Sequence, residues 1–335
     1  MRKFFFVVIA FIVFIVLVPV IIVTREEVRI EGDDVNEDSD ATEIEVIESD
    51  LMIKVYNHRT SEIMSLYLED YIVNVVAAEM PASFELEALK AQAVAARTYA
   101  IWKKNMHGKE GDPAHSGAIL CTDHAHCQEW LSNDELAKIH GKLWIYIYLP
   151  RIKESVKNTR GIIMTYNMKP IEPLYHSTSG GKTENSEDVF SNKVSYLRSV
   201  PSPFEERSPS LLNEKKLSVN EFINMMKTHS KNFEINEKKL GTQIEIIERS
   251  RGGSVQEIKI GNQTFKGTEI RKIFQLKAAD FVIEIDKNHL TFTTKGHGHG
   301  VGMSQWGANG MAERGSNFKQ ILKHYYQGIT LSRLK

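Results

Sequence analysis

Residues 85–104, ELEALKAQAVAARTYAIWKK, place six alanines among bulkier apolar side chains with no proline or glycine to interrupt them. Side chains this small let neighbouring elements come close to a helix axis. The stretch therefore predicts a helix buried at the centre of a domain, which the rest of the chain has to surround. An apolar helical run, LEDYIVNVVAAE (residues 68–79), precedes it and must end near Met80, because Pro81 disfavours α geometry in the residue before it. Ser83 is the expected N-cap of the second helix, with Glu85 and Glu87 in its first turn complementing the helix dipole. Glu79 closes the first run. A glutamate there is either a helix-end carboxylate in water, the usual fate of this residue type, or a carboxyl at the mouth of an apolar cleft. In the second case desolvation favours the protonated form and suits it to general acid work near neutral pH, with a cation such as Arg97 pulling the other way.

The chain has 335 residues, 42% of them hydrophobic, enough for one large or two medium domains. Residues 4–23 (FFFVVIAFIVFIVLVPVIIV) carry no charge over the length needed to cross a bilayer; Arg2 and Lys3 precede them and acidic residues follow. These features predict a single-pass membrane anchor at residues 1–23, with the N-terminus in the cytoplasm and the remainder exported to the cell membrane's outer side. A cleaved signal peptide is the alternative, but the run is longer than a usual h-region and no small-x-small site follows it. Residues 24–50 hold twelve acids against Arg25 and Arg29, and too few large apolar residues to fold; they read as a disordered acidic stalk. Residues 51–335 keep 38 bases and 31 acids. That excess fits an anionic partner such as cell-wall polymer, or simply a solvated surface. An exported domain does not meet nucleic acid.

Within 51–335, residues 51–56 read as a strand, and a helix is expected to begin near Asn133, whose side chain would cap it. Residues 162–166 and 173–177 read as strands flanking a turn at 167–169. Ser218 and Glu221 form an S-x-x-E capping box. Segments 243–248, 255–260, 281–285 and 290–294 alternate as antiparallel strands do, with a helix at 267–274 among them. Helices and strands mix without a βαβ rhythm, so the expected class is α+β, with a smaller β-rich subdomain around 205–295. No internal repeat is present.

Three further stretches carry candidate chemistry. LYHSTSGGKTENSEDVF (residues 174–190) concentrates hydroxyl, amide and charged groups around Gly180 and Gly181, which suits either a polar, hydroxyl-rich ligand such as a sugar or an ordinary hairpin turn. GHGHGVGMSQWGANGMAERG (residues 296–315) has seven glycines, which implies positive-φ turns and close backbone approach before a helix over 303–314. His297 and His299 are either metal ligands or imidazoles bonded to backbone where this loop packs against a cleft, and no third ligand nearby favours the former. Ser304 does not sit in a G-x-S-x-G elbow. HSGAILCTDHAHC (residues 115–127) contains both cysteines of the chain, Cys121 and Cys127, with His115, His124 and His126 around them. A disulfide, free thiols and a closed Cys₂His₂ zinc site all remain open, the last being structural because protein would fill all four positions.

Taken together, A-A-E-M-P, L-K-A-Q-A-V-A-A-R-T-Y, H-S-T-S-G-G-K-T-E-N-S and G-H-G-V-G-M-S-Q-W-G-A resemble the stage II sporulation protein D family over about residues 66–328. The resemblance implies a membrane-anchored lytic transglycosylase of endospore formers. Such an enzyme cuts septal peptidoglycan during engulfment, at the β-1,4 bond between N-acetylmuramic acid and N-acetylglucosamine, and leaves a 1,6-anhydro end. It places the catalytic acid on Glu79. One carboxyl suffices for that chemistry, because the sugar's own 6-hydroxyl and not water attacks C1. Arg97, Tyr175, Ser179, Lys182 and Gln305 are the expected sugar contacts or supports of Glu79. Some relatives carry an accessory zinc, and His115, Cys121, His126 and Cys127 fit that pattern, with His124 as the alternative to His126. The implied partners are peptidoglycan strands, a membrane-anchored amidase that first strips peptide stems, and a membrane scaffold protein. A non-catalytic, glycan-binding activator of that amidase is the competing reading; a zinc hydrolase is a third and requires an open metal position.

Overall fold

The computed structural model describes residues 51–115 and 117–334. The expected anchor and stalk lie outside them, and no helix among the described residues is long and apolar enough to cross a membrane. The alanine-rich segment forms the helix expected at the centre. After strands β1 (Met52–Asn57) and β2 (Glu62–Tyr67) come helix α1 (Leu68–Glu79) and helix α2 (Leu86–His107). Fourteen residues of α2 are buried, including all six alanines.

Strand β3 (Leu120–Cys121) is followed by α3 (Asn133–His140), α4 (Lys142–Ile147) and α5 (Leu149–Asn158), then β4 (Ile162–Tyr166), β5 (Lys169–Pro170) and β6 (Tyr175–His176). After α6 (Ser186–Val189) and β7 (Leu212–Ser218) come α7 (Val219–His229), β8 (Ile244–Arg249), β9 (Val255–Ile260), β10 (Gln263–Lys266) and α8 (Gly267–Ile273). The chain closes with β11 (Phe281–Ile285), β12 (His289–Lys295), β13 (Met303–Ser304), α9 (Gln305–Ala312), α10 (Phe318–Tyr325) and β14 (Thr330–Arg333). Helix α2 packs against α1, α5, α9, α10, β4 and β5, which is why its side chains must be small.

The sheets are short and mainly antiparallel: β2-β1-β3, β10-β9-β8, β11-β12-β7 and β14-β4-β5, with β3 joining β1 and β13 joining β6 in parallel. The class is α+β. Two separate sets of buried apolar side chains support them. The larger surrounds α2; the second, built from Leu217, Phe222, Phe274, Phe281, Phe292 and their neighbours, lies within residues 217–292. In the second, Phe222 stacks on Phe274 with ring centroids 5.1 Å apart, a contact that adds to plain area burial.

Three local expectations need correction. Ser83 does not cap α2: Glu85 stands at the N-cap without a side-chain cap bond, and its N–H donates to Asn309 Oδ1 of α9 at 2.8 Å. Ser132, not Asn133, caps α3 in a reciprocal box with Glu135, and the helix stops at Gly141, whose φ of 89° suits glycine. The segment around Tyr175 is not the hairpin partner of β4, which pairs with Lys169–Pro170; Tyr175 and His176 pair instead with Met303 and Ser304.

Candidate active site

Helix α1 ends where proline forces it to end. Met80 is extended (φ −120°, ψ 144°), so Glu79 is the last helical residue and its side chain enters a cleft of about 720 Å³, within the range of small-ligand sites. The Glu129 N–H donates to Glu79 Oε1 at 2.8 Å. The Tyr175 hydroxyl lies 3.5 Å from Oε1 and the Gln305 amide nitrogen 3.5 Å from Oε2. Burial pushes the Glu79 carboxyl from its ordinary 4.5 up to about 7; the bonds from Glu129 and Gln305 oppose this, and the Glu129 charge adds to it.

Two segments far apart in sequence meet around that carboxyl. Strand β6 and strand β13 pair in register Met303↔Tyr175 and Ser304↔His176, which sets Tyr175 on one side of Glu79 and Gln305, the first residue of α9, on the other. Gly302 makes the pairing possible: its φ is +76°, and a Cβ there would collide with the Leu174 carbonyl oxygen. His176 and His299 line the same cleft. The His176 Nδ1 donates to the Val301 carbonyl at 3.1 Å, and the Val301 N–H donates to His299 Nδ1 at 3.1 Å. Burial lowers these imidazoles to about 4 and about 3, so both are neutral at pH 7 and act as hydrogen-bonding groups.

Of the residues expected in the site, Glu79, Tyr175 and Gln305 come together. Arg97 does not. It is fully buried in α2 and forms a two-pronged pair with Glu69, with Nε 2.8 Å from Oε1 and Nη2 2.7 Å from Oε2; it also bonds the Ile162 carbonyl at 3.1 Å. A guanidinium fixed in the core by a carboxylate on α1 holds two helices together and reaches no ligand. Ser179 is turned onto the buried carboxylate of Glu205, to which its hydroxyl donates at 3.0 Å and its N–H at 3.1 Å. Lys182 is exposed, bridging Pro201 through its backbone. Neither lines the cleft; Ser177 does.

Sequence reasoning missed Gln128 and Glu129. Gln128 is 2% exposed; its Oε1 accepts the Tyr175 hydroxyl at 2.9 Å and its Nε2 donates to Tyr71 Oη at 3.3 Å. The Glu129 carboxylate is held by Arg59 and by His124, whose Nδ1 is 3.0 Å away. The available signal was position: both residues follow Cys127 directly, so whatever shapes the cysteine loop also aims their groups. Nothing in the local sequence marks Arg271, from α8, which also lines the cleft.

His115, Cys121, His126 and Cys127 present ligand atoms all within 4.8 Å of one another. Cys127 Sγ is 3.5 Å from His126 Nδ1 and 3.6 Å from His115 Nε2, and Cys121 Sγ is 3.9 Å from His126 Nδ1. Tetrahedral zinc with its usual bond lengths separates N and S ligands by about 3.5 Å, so the donor set fits. The two ring nitrogens, 2.8 Å apart, are closer than about 3.3 Å, the spacing that metal would impose. Cys121 and Cys127 are not joined as a disulfide; a hydrogen bond between their side chains raises the Cys121 thiol and lowers that of Cys127. His124 stands outside this cluster, against Glu129.

Glu79 is thus a desolvated carboxyl oriented by main chain, phenol and amide in an open cleft that Glu172, also raised by burial, lines with it, beside a Cys/His cage. A family model described as SpoIID, stage II sporulation protein, matches residues 56–166. The chain is 38% identical over 292 residues to stage II sporulation protein D of Bacillus amyloliquefaciens, covering 85% of this chain and 80% of the relative. It is 37% identical over 291 residues to the protein of the same name from Bacillus subtilis (strain 168), with the same coverage. The chain belongs to the stage II sporulation protein D family. It is also 28% identical over 305 residues to the amidase enhancer of Bacillus subtilis (strain 168), spanning 77% of this chain and 40% of that longer protein.

Proposed function

We propose that this chain is a lytic transglycosylase that cleaves the bond between N-acetylmuramic acid and N-acetylglucosamine in septal peptidoglycan. The observation that carries the reading is Glu79: a carboxyl held at about 7 by burial, in a cleft where the groups bonded to it are the neutral donors Glu129 N–H, Tyr175 and Gln305. At neutral pH such a group is present in both protonation states, as an acid that turns into a base requires. Protonated Glu79 gives its proton to the glycosidic oxygen as the C1–O bond breaks. The carboxylate left behind takes the proton of the muramic acid's own 6-hydroxyl while that oxygen bonds C1. The proton given equals the proton regained, no water enters, and the anhydro ring closes. Glu129 N–H, Tyr175 and Gln305 keep the carboxyl oriented through both halves.

His115, Cys121, His126 and Cys127 would hold a zinc whose four positions are all protein, so what it supplies when bound is a cross-link of the loop ahead of Gln128 and Glu129. Residues 1–23 would anchor the chain in the membrane through the uncharged run at 4–23, with 24–50 as spacer and 51–335 as the catalytic part. A membrane-anchored amidase and a scaffold protein remain the proposed partners.

The full-length protein in detergent, given peptide-free glycan strands, is expected to release products with anhydro-muramyl ends, read by mass spectrometry; hydrated reducing ends would instead make it a hydrolase. Glu79→Gln is expected to lower the rate at least 1,000-fold, on the order expected when a general acid and base are both removed. A second reading, a glycan-binding activator of an amidase, draws on the likeness to the amidase enhancer. Amidase stimulation that Glu79→Gln leaves intact, without anhydro products from the wild type, would favour it.

A further inference from the structure

Among the residues lining the cleft, Arg271 alone carries a permanent positive charge. It stands in the last turn of α8, packed on the second core and not on the helices that hold Glu79. Its carbonyl accepts the Leu276 N–H at 2.9 Å and its Nε donates to the Leu276 carbonyl at 3.4 Å. These bonds fix the stem of the side chain. Its two terminal nitrogens have no hydrogen bond and no carboxylate partner among the described residues. Burial works against its charge and no neighbouring anion offsets that cost. Around it are His176, His297 and His299, all lowered first by burial; the guanidinium adds to this, behind Lys277 for His297 and behind His176 for His299. A half-buried cation that no carboxylate meets at ion-pair distance, although Glu79 and Glu172 line the same cleft, is unfavourable in the free protein. It becomes favourable when a ligand brings an anion, and the planar fork of a guanidinium is matched to a carboxylate.

We propose that Arg271 is the specificity-determining residue of the cleft and binds the lactyl carboxylate that muramic acid exposes once its peptide is gone. This rests on the cleft's being a glycan-cleaving site. Along an alternating strand of N-acetylglucosamine and N-acetylmuramic acid, the lactyl group is the one intrinsic acid. While a peptide is attached, that group is an amide and carries no charge. Arg271 thus separates stripped strands from peptide-bearing ones by charge as well as by bulk, and gives the cleft a reason to follow an amidase.

The test uses the full-length protein in detergent and two batches of glycan: stem-free strands with free carboxylates, and the same strands with those carboxylates converted to methylamides. Binding is measured by co-sedimentation with Glu79→Gln protein, which does not consume the ligand, and KM and kcat with otherwise wild-type protein. The free-acid strands are expected to bind roughly 10- to 100-fold more tightly, as a charge-assisted bidentate contact does, with the difference in KM and little in kcat. Arg271→Gln should erase the preference by weakening the acid form only, and Arg271→Lys should keep part of it. Equal binding of the two batches by Arg271-containing protein overturns the proposal, as does Arg271→Gln weakening both batches alike, and either result leaves the cleavage reading intact. Absence of anhydro products from both batches, with the binding preference present, overturns the cleavage reading and leaves Arg271 as the carboxylate contact.

Discussion

The protonation state of Glu79 governs both what the site can do and what it costs the fold. If Glu79 donates the first proton, kcat/KM is expected to hold on the acid side and fall about tenfold per pH unit above about 7; a profile flat through pH 8.5 would remove Glu79 from that role. The same shift has a consequence for stability. A carboxyl that titrates at about 7 when folded and at 4.5 when unfolded keeps its proton in the native state over a window where the unfolded chain has released it. Stability therefore falls as pH rises through that window. Glu79→Gln cannot ionise and is expected to raise stability at pH 8 by about 1–3 kcal/mol, seen as a higher Tm, while abolishing cleavage. Glu79 was legible in the sequence because Pro81 fixes where its helix stops. Its raised pKa was not, since burial depends on β6, β13 and the loop after Cys127, which only the fold assembles around it.

At the level of elements, the pairing of α1 with α2 through Glu69 and Arg97 explains why a basic residue in the alanine-rich helix looked like a ligand contact. In sequence, Arg97 is a cation on the helix that follows Glu79. In space, the 0% exposed guanidinium is met by a carboxylate from the start of α1. Glu69→Ala leaves that charge buried and unpaired and is expected to cost about 3–5 kcal/mol; chemical denaturation measures it. The KM of the protein that remains folded should be unchanged, whereas a shift in KM would return Arg97 to the cleft. The helices and strands with strong local signals, such as the S-x-x-E box at Ser218 and the alternation at 255–260, were readable directly. The two-residue strands β6 and β13 were not, since their pairing joins residues 128 apart in the register Met303↔Tyr175 and depends on the clearance at Gly302. The partner of Ser179, Glu205, was hidden for the same reason.

Across the whole molecule, the cleft draws its acid from the core around α2 and its cation from the second core, and the cysteine loop ties the first of these in place. Loading and stripping the Cys₂His₂ cage should therefore be felt as stability first. Chelation of the zinc-loaded protein is expected to lower the Tm by several degrees and zinc to restore it, with calorimetry as the measurement; a Tm indifferent to both would argue against a metal there. The bond from Glu129 N–H to Glu79 Oε1 gives this arrangement a particular vulnerability. Because that donor belongs to the main chain, no replacement of the residue 129 side chain, short of proline, takes it away. A lineage can drift at this position without losing the bond to Glu79. What can silence it is a change in the path of the backbone just upstream, and there the chain keeps its only two sulfhydryls, Cys121 and Cys127. The hydrogen bond is thus sheltered from mutation and open to chemistry, so that, on the proposed function, oxidants or metal supply would act on cleavage without touching Glu79 itself.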